Sequence, residues 1–348
     1  MPATMTASER ANLPRWRGDA GFVEIWFLVV FHPPTASALW LRYTTFAPAR
    51  SAPGAARAIV WAAWFDAQAA EPSIALKAIH SAEAYDAGQP DRFGIRIGSC
   101  VLEHGYVAGA VAGSGRRLVW DLTFIPAERP AESEPWLLRQ LPLPVRVSRP
   151  NADTIFSGTI AVDGVARRLE ASPGLQAHIW GTRHVEELSW LYCPAFAEDP
   201  SARLEAASAR LDRKVLGPIP GPWLTPVVWR SAEGDVALTG VVQTLRNRVA
   251  ASGPTTLELR AASARHTIAA RAWCAPESLV GYVYRDPDGR ELHVAQSDVA
   301  SCEVEVVTPG GRRRLTSRHT TAVEFHAPEP LPGVRYIPWD AETLPAAR

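Results

Sequence analysis

Strand-length apolar runs, punctuated by turn residues and almost free of helical periodicity, predict an all-β chain, built as barrels or sandwiches. The runs recur along the whole sequence and are separated by Gly, Pro, Asp and Asn, the signature of strands and tight turns. At 348 residues the chain is too long for one ordinary hydrophobic core, so two packed units are expected. Only 202–211 has apolar residues at helical spacing, Leu204 and Leu211 among alanines. A helix is favoured there and a short strand stays open. Many short strands with few helices make a barrel or a sandwich.

The elements follow in order. Residues 22–31 form the first strand, His32-Pro33-Pro34 turns the chain, and 38–46 returns. Strands at 58–65, 74–79 and 93–102 come next. Gly113-Ser114-Gly115 has hairpin composition between 107–112 and 117–124, and Asp163-Gly164 is a strong hairpin signal between 154–162 and 165–171. The proline-rich stretch 126–150 is not expected to be regular throughout. In the second half, 227–230 and 236–245 surround Gly234-Asp235, and 255–259, 266–273, 279–285, 291–295, 302–307 and 320–325 read as strands. Residues 286–289 are a turn, and a proline-rich tail follows Ala327. Residues 1–17 read as a frayed tail. The division falls at Ser172-Pro173-Gly174, giving an N-terminal unit over 18–173 and a C-terminal unit over 174–340.

Apolar residues make up 47% of the chain and charged residues 21%, with 36 basic and 36 acidic side chains. A zero net charge disfavours a general nucleic-acid binder, which needs a basic stripe, and a polybasic membrane-surface protein. The cysteines Cys100, Cys193, Cys274 and Cys302 are widely spaced and show no CxxC pair. They read as small buried hydrophobes in a reducing compartment. The first residues carry no apolar run of a secretory signal, and the longest apolar stretch, with Glu24 inside it, is too short to span a bilayer. A cytoplasmic protein without a transmembrane segment is expected. Lys77 lies inside an apolar strand pattern and is assigned to a solvent face.

Thirteen tryptophans are many for this length. Period-2 alternation puts Glu24, Trp26 and Leu28 on one face of the first strand and Trp40 with Arg42 on one face of the second. Trp61 and Trp64 fall on opposite faces, as do Trp120 and Asp121. Small barrels fill their interior with side chains or hold one ligand, and indole offers both apolar area and a π face for a cation. Most of these tryptophans are ordinary core. Glu24 and Arg42 interrupt apolar strands, where a buried charge must be paired; a structural ion pair explains them as well as function does. His178-Ile179-Trp180-Gly181-Thr182-Arg183-His184 is the densest local cluster, with His178, Trp180 and His184 sharing parity if the strand continues. It suits proton handling or anion holding, and its His-x5-His spacing is not a standard zinc pattern. No phosphate loop, nucleophile elbow or nucleophilic triad is found.

Four phrases, Glu24-Ile25-Trp26-Phe27, Ala38-Leu39-Trp40-Leu41-Arg42-Tyr43-Thr44, Trp120-Asp121-Leu122 and His178-Ile179-Trp180-Gly181-Thr182-Arg183-His184, resemble in order and separation a lipocalin-like two-barrel superfamily. It includes carotenoid hydratase (hydroxyneurosporene synthase), tocopherol cyclase-like and Diels–Alderase-like proteins. The resemblance spans roughly 22–307. It implies two lipocalin-like β-barrels with a pocket in or between them, and chemistry without a cofactor on a hydrophobic isoprenoid or polyene: protonation of an alkene, cyclisation, hydration or isomerisation. An acid kept neutral by burial and aromatic faces around a developing cation suit that chemistry. On this reading Glu24 and Asp121 are the candidate acids, and His178 and His184 orient the acid or deprotonate the product. Trp26, Trp40, Trp64, Trp120 and Trp180 are substrate walls, and Arg42 and Arg183 hold a polar head or pair the carboxylates. The alternatives are a non-catalytic carrier of a lipid or pigment, and a module whose motif residues only knit the barrels together.

Overall fold

A computed structural model describes residues 5–69, 73–131, 143–210 and 221–344. It is mostly β, in two large antiparallel sheets. The first sheet contains β1 (Phe22–His32), β2 (Ser37–Ala47), β3 (Arg57–Asp66), β4 (Ile74–Ser81), β5 (Tyr85–Asp86), β6 (Gly94–Ile97), β7 (Cys100–Glu103), β8 (Tyr106–Gly113), β9 (Arg116–Phe124), β10 (Val145–Val162) and β11 (Val165–Gly181). Its order is β4-β3-β2-β1-β11-β10-β9-β8-β7-β6-β5. The sheet curls until β4 lies against β8 and nearly closes a barrel. The second sheet contains β12 (Glu187–Cys193), β13 (Arg203–Arg210), β14 (Trp223–Leu224), β15 (Val227–Arg230), β16 (Val236–Leu238), β17 (Arg248–Ala251), β18 (Thr256–Ala262), β19 (Thr267–Trp273), β20 (Val280–Arg285), β21 (Glu291–Thr308), β22 (Gly311–Ala327) and β23 (Tyr336–Ile337).

Three apolar cores follow from the alternation. Trp26, Leu28, Tyr43, Trp64 and Trp120 fill the first barrel. Leu191, Leu204, Trp229, Leu257 and Val304 fill the space enclosed by the second sheet. Ile25, Val29, Trp40, Trp61, Trp190, Tyr192, Tyr282 and Tyr284 form a third core where the sheets meet. β1 and β2 are therefore buried on both faces, which is why they read as nearly continuous apolar runs.

Several expected elements differ from those observed. The helix favoured over 202–211, whose last residue lies outside the described residues, is replaced by the strand β13, with Leu204, Glu205, Ala206 and Ser208 buried, because pairing with β12 and β15 overrides alanine's helix propensity. The strand expected at 236–245 ends at Leu238, and a short helix occupies Val241–Arg246. Of the stretch 126–150, expected not to be regular throughout, residues 132–142 lie outside the described residues; β10 starts within it at Val145, and register shifts between Ser148 and Asn151 accommodate Pro150. β11 crosses residue 173 and stays paired with β1 up to Gly181. The described part of the expected frayed tail is ordered: a helix, Ala7–Asn12, packs on β10.

Lys77 is buried, not on a solvent face. Its Nζ donates to the carbonyls of Pro338 at 2.9 Å and Trp339 at 2.5 Å, and lies 4.4 Å from the Trp61 ring centroid. The chain after β23 thus crosses from the second sheet to the edge of the first. Burial pulls the Lys77 pKa down to about 7, against a smaller opposing pull from Asp340. The unfolded chain then holds one more proton than the fold between pH 7 and the ordinary lysine range. Stability is expected to rise with pH across that window, by at most about 1.4 kcal/mol per pH unit for one proton. Denaturant titrations at pH 7 to 10 should show the rise in the natural protein and its loss in Lys77→Met; equal slopes in both would contradict it.

Candidate functional site

The two faces of β1 lead to two separate polar sites. Glu24 and Trp26 point into the first barrel, and Ile25 and Phe27 point toward the second sheet.

On the barrel side, Glu24 is fully buried. Its carboxylate accepts the backbone N–H of Arg15 at 2.7 Å and of Trp16 at 2.9 Å, and lies 2.8 Å from His178 Nε2. His178 Nδ1–H donates to the Ala11 carbonyl at 2.8 Å, which leaves Nε2 facing Glu24. The imidazole stacks on Trp26 at 4.7 Å between centroids, with Trp180 on it at the same distance. Asn12 exchanges amide hydrogen bonds with Gln176, and the Trp26 indole N–H donates to the Asn12 carbonyl. These groups latch residues 11–16 across the barrel.

On the other side, a cavity of about 240 Å³ lies between the sheets. Phe27, Val145, Val147, Ile179, Leu188, Trp190 and Leu224 give it a predominantly apolar lining. Arg42, Arg149, His184, Thr244, Tyr284, Glu324 and His326 are its polar groups, Arg149 being paired with Glu205 at 2.5 Å. β2 supplies Arg42, β20 supplies Tyr284 and β22 supplies Glu324 with His326, while His184 stands in the link between the sheets. The Arg42 guanidinium lies 3.8 Å from the Tyr284 ring centroid and donates to Thr44 Oγ1 at 2.9 Å.

His184 Nδ1–H donates to Asp286 Oδ1 at 2.8 Å, and the same oxygen accepts the His184 backbone N–H at 2.7 Å. Nε2 is left as an acceptor for Arg42 at 2.9 Å. Burial lowers the His184 pKa more than Asp286 raises it, and Arg42 lowers it further, so the ring is neutral and both nitrogens are occupied. Burial holds the Tyr284 phenol well above its ordinary range.

His326 is the group poised for proton transfer. Its Nδ1–H donates to the Val185 carbonyl at 2.9 Å, and its Nε2 lies 2.5 Å from Glu324 Oε1. Nδ1 is thus engaged by a carbonyl and Nε2 faces the Glu324 carboxyl oxygen. Glu324 pairs across the strands with Trp190, putting the acid beside an indole wall. Deeper on the same face, Asp298 is fully buried, and burial raises its carboxyl pKa to about 8. Its partner is Gln296, at 2.9 Å.

Of the residues singled out in the sequence, Trp40, Arg42 and His184 line this cavity. Glu24, Trp26, His178 and Trp180 belong to the latch. Trp64 and Trp120 pack inside the first barrel, where the Trp120 indole N–H donates to the Tyr43 hydroxyl at 3.3 Å. Asp121 is exposed on β9, with no dry environment to keep a carboxyl neutral. Arg42 is on the opposite face of its strand from the one that meets Glu24, so it does not pair with that carboxylate. Arg183 is half-buried and electrostatically coupled to Asp288. Tyr284, Asp286, Glu324 and His326 were missed. The available signals were Glu324 and His326 at strand spacing around Phe325, and Tyr282 and Tyr284 around Val283.

No protein-family model matches the chain. Over 310 residues it is 26% identical to an uncharacterized protein of Mycobacterium tuberculosis, in strains CDC 1551 and H37Rv, covering 87% of this chain and 85% of the relative. Among solved structures it is similar to kievitone hydratase from Nectria haematococca, with a TM-score of 0.49, 9% identity, and coverage of 94% of this chain and 97% of that one. It is also similar to CghA with Sch210972, with a TM-score of 0.47, 12% identity and coverage of 92% of each chain.

Proposed function

We propose that the chain is a cofactor-independent hydratase, cyclase or isomerase that moves a proton to or from carbon in a hydrophobic small molecule held between the two sheets. The observation that carries this reading is the 2.5 Å contact between Glu324 Oε1 and His326 Nε2 on the wall of a predominantly apolar cavity. A carboxyl–imidazole pair of this kind donates a proton and recovers it afterwards, which is general acid–base catalysis. The resemblance of the tryptophan and histidine phrases to the two-barrel superfamily points to the same chemistry, and an isoprenoid or polyene suits the lining. The acid role moves from Glu24 to Glu324, because the Glu24 oxygens are committed to holding residues 15 and 16.

Protonation of an alkene at the Glu324 end places the developing cation beside the Trp190 face, where an aromatic wall stabilises it. Arg42 repels a cation at its own end and suits a hydroxyl, carbonyl or carboxylate of the substrate. His184, clamped by Asp286, holds the guanidinium in place. After protonation the Glu324–His326 pair accepts a proton from an attacking water in a hydration, or from the adjacent carbon in a cyclisation or isomerisation.

The carrier reading is favoured by one feature, the full occupation of both His184 nitrogens, which removes one candidate base. Ligand position tests what the two readings share. An apolar compound copurified with the protein, identified by native mass spectrometry and retained in crystals, should give density between the sheets against Trp190 and Arg42. Density inside the first barrel against Trp26 and Trp64 would overturn the placement.

A further inference from the structure

Beside this cavity lies an apolar surface that the proposed chemistry leaves unused. Leu224 on β14 and Thr244 on the Val241–Arg246 helix line the cavity. Their neighbours Trp223, Val241, Val242 and Leu245 are 40%, 41%, 55% and 38% exposed. Among the described residues, four of the seven markedly exposed large hydrophobic side chains are gathered here. Trp223 and Leu245 border one shallow depression, and Val241 and Val242 stand one turn before Leu245 on the same short helix, so the four form one patch. Isolated exposed hydrophobics need no explanation, but a contiguous patch does.

The rim of the patch is basic. Arg246 and Arg248 are exposed, and Arg248 donates to the carbonyls of Leu245 and Asn247. The Arg210 guanidinium lies over the Trp223 ring at 5.9 Å and is paired with Glu187. No acidic residue occurs from 239 to 257. Arg246 and Arg248 thus stand exposed on the apolar face, with Arg260 and Glu258 exposed on the neighbouring β18.

We propose that this face docks on anionic lipid bilayers, with Trp223, Val241, Val242 and Leu245 entering the interfacial region and Arg246 and Arg248 meeting the headgroups. Three observations favour a bilayer over a protein partner. A stable interface between copies needs about 800 Å² from each partner, and one turn of helix with one indole falls short of that. Arginine around a shallow apolar patch is the composition of an interfacial anchor, each basic group adding attraction to anionic headgroups. The helix and β14 also form part of the cavity wall, so a water-insoluble ligand has a short path from the bilayer to the site. That delivery role rests on the function proposed above; the docking itself does not.

Co-sedimentation of the full chain with vesicles of phosphatidylcholine containing about one-third phosphatidylglycerol tests the proposal. Binding is expected at low salt, weakening as salt rises. It should fall at least tenfold in Val242→Ser/Leu245→Ser and comparably in Arg246→Glu/Arg248→Glu, two exposed pairs that leave the core intact, with near-ultraviolet circular dichroism confirming the fold. Absence of binding, binding unchanged in both variants, or equal binding to phosphatidylcholine alone would overturn it. So would a salt-independent dimer lost in Val242→Ser/Leu245→Ser without vesicle binding, which would make the patch a contact between copies. Since binding is read without turnover, failure of the acid–base chemistry leaves this result standing, and the reverse also holds.

Discussion

Glu324→Gln is expected to lower turnover by about 10²- to 10⁴-fold while ligand affinity stays within a few-fold of the natural protein, the range removed with a positioned general acid or base. The substitution keeps the side chain's shape and lets the amide donate to His326 Nε2, so the 2.5 Å contact is replaced rather than emptied. What is lost is the ionisable carboxyl. The substitution is conservative, and the wall formed by Trp190, Phe27 and Ile179 is untouched. Parallel titrations with the copurified apolar compound and single-turnover assays separate binding from chemistry. Equal losses in both would reduce Glu324 to a packing role.

The second large effect is on stability. Glu24→Ala should cost about 3–5 kcal/mol, the usual consequence of removing one member of a buried ion pair. Two backbone N–H groups at Arg15 and Trp16 lose their acceptor, and His178 keeps a polar edge facing an apolar void beside Trp26. Unfolding of residues 11–16 from the barrel should accompany the loss, seen as faster hydrogen exchange there. Thermal unfolding followed by circular dichroism reads the main effect. A variant of natural stability that has lost turnover would return Glu24 to the chemistry.

The alternation of the sequence was a reliable guide to faces. It grouped Glu24 with Trp26 and Trp40 with Arg42, and it separated Trp61 from Trp64 and Trp120 from Asp121; each grouping is found in the structure. It did not reveal which face of β1 meets a cavity, because both faces are buried and a period of two carries no sign. Glu24 therefore looked like the acid, when its oxygens hold the backbone of Arg15 and Trp16 and meet His178. The linked histidines of 178–184 looked like one cluster, but the strand ends at Gly181, and His178 and His184 go to different sites. Asp286 read as a turn residue, since nothing local shows that its carboxylate receives His184 from 102 residues away. Glu324 and His326 sit near the end of a long strand whose register with β12 sets their position, and register is a long-range property.

The central claim is that Glu324 and His326 exchange a proton with carbon of a ligand held between the sheets. Incubating the identified apolar compound with protein in deuterated water and following carbon-bound deuterium by mass spectrometry tests it most directly. The natural protein should place solvent-derived deuterium at a single carbon of the product or recovered compound, and Glu324→Gln should do so at least about a hundredfold more slowly. A bound compound that gains no deuterium, or gains it equally fast with Glu324→Gln, would contradict it.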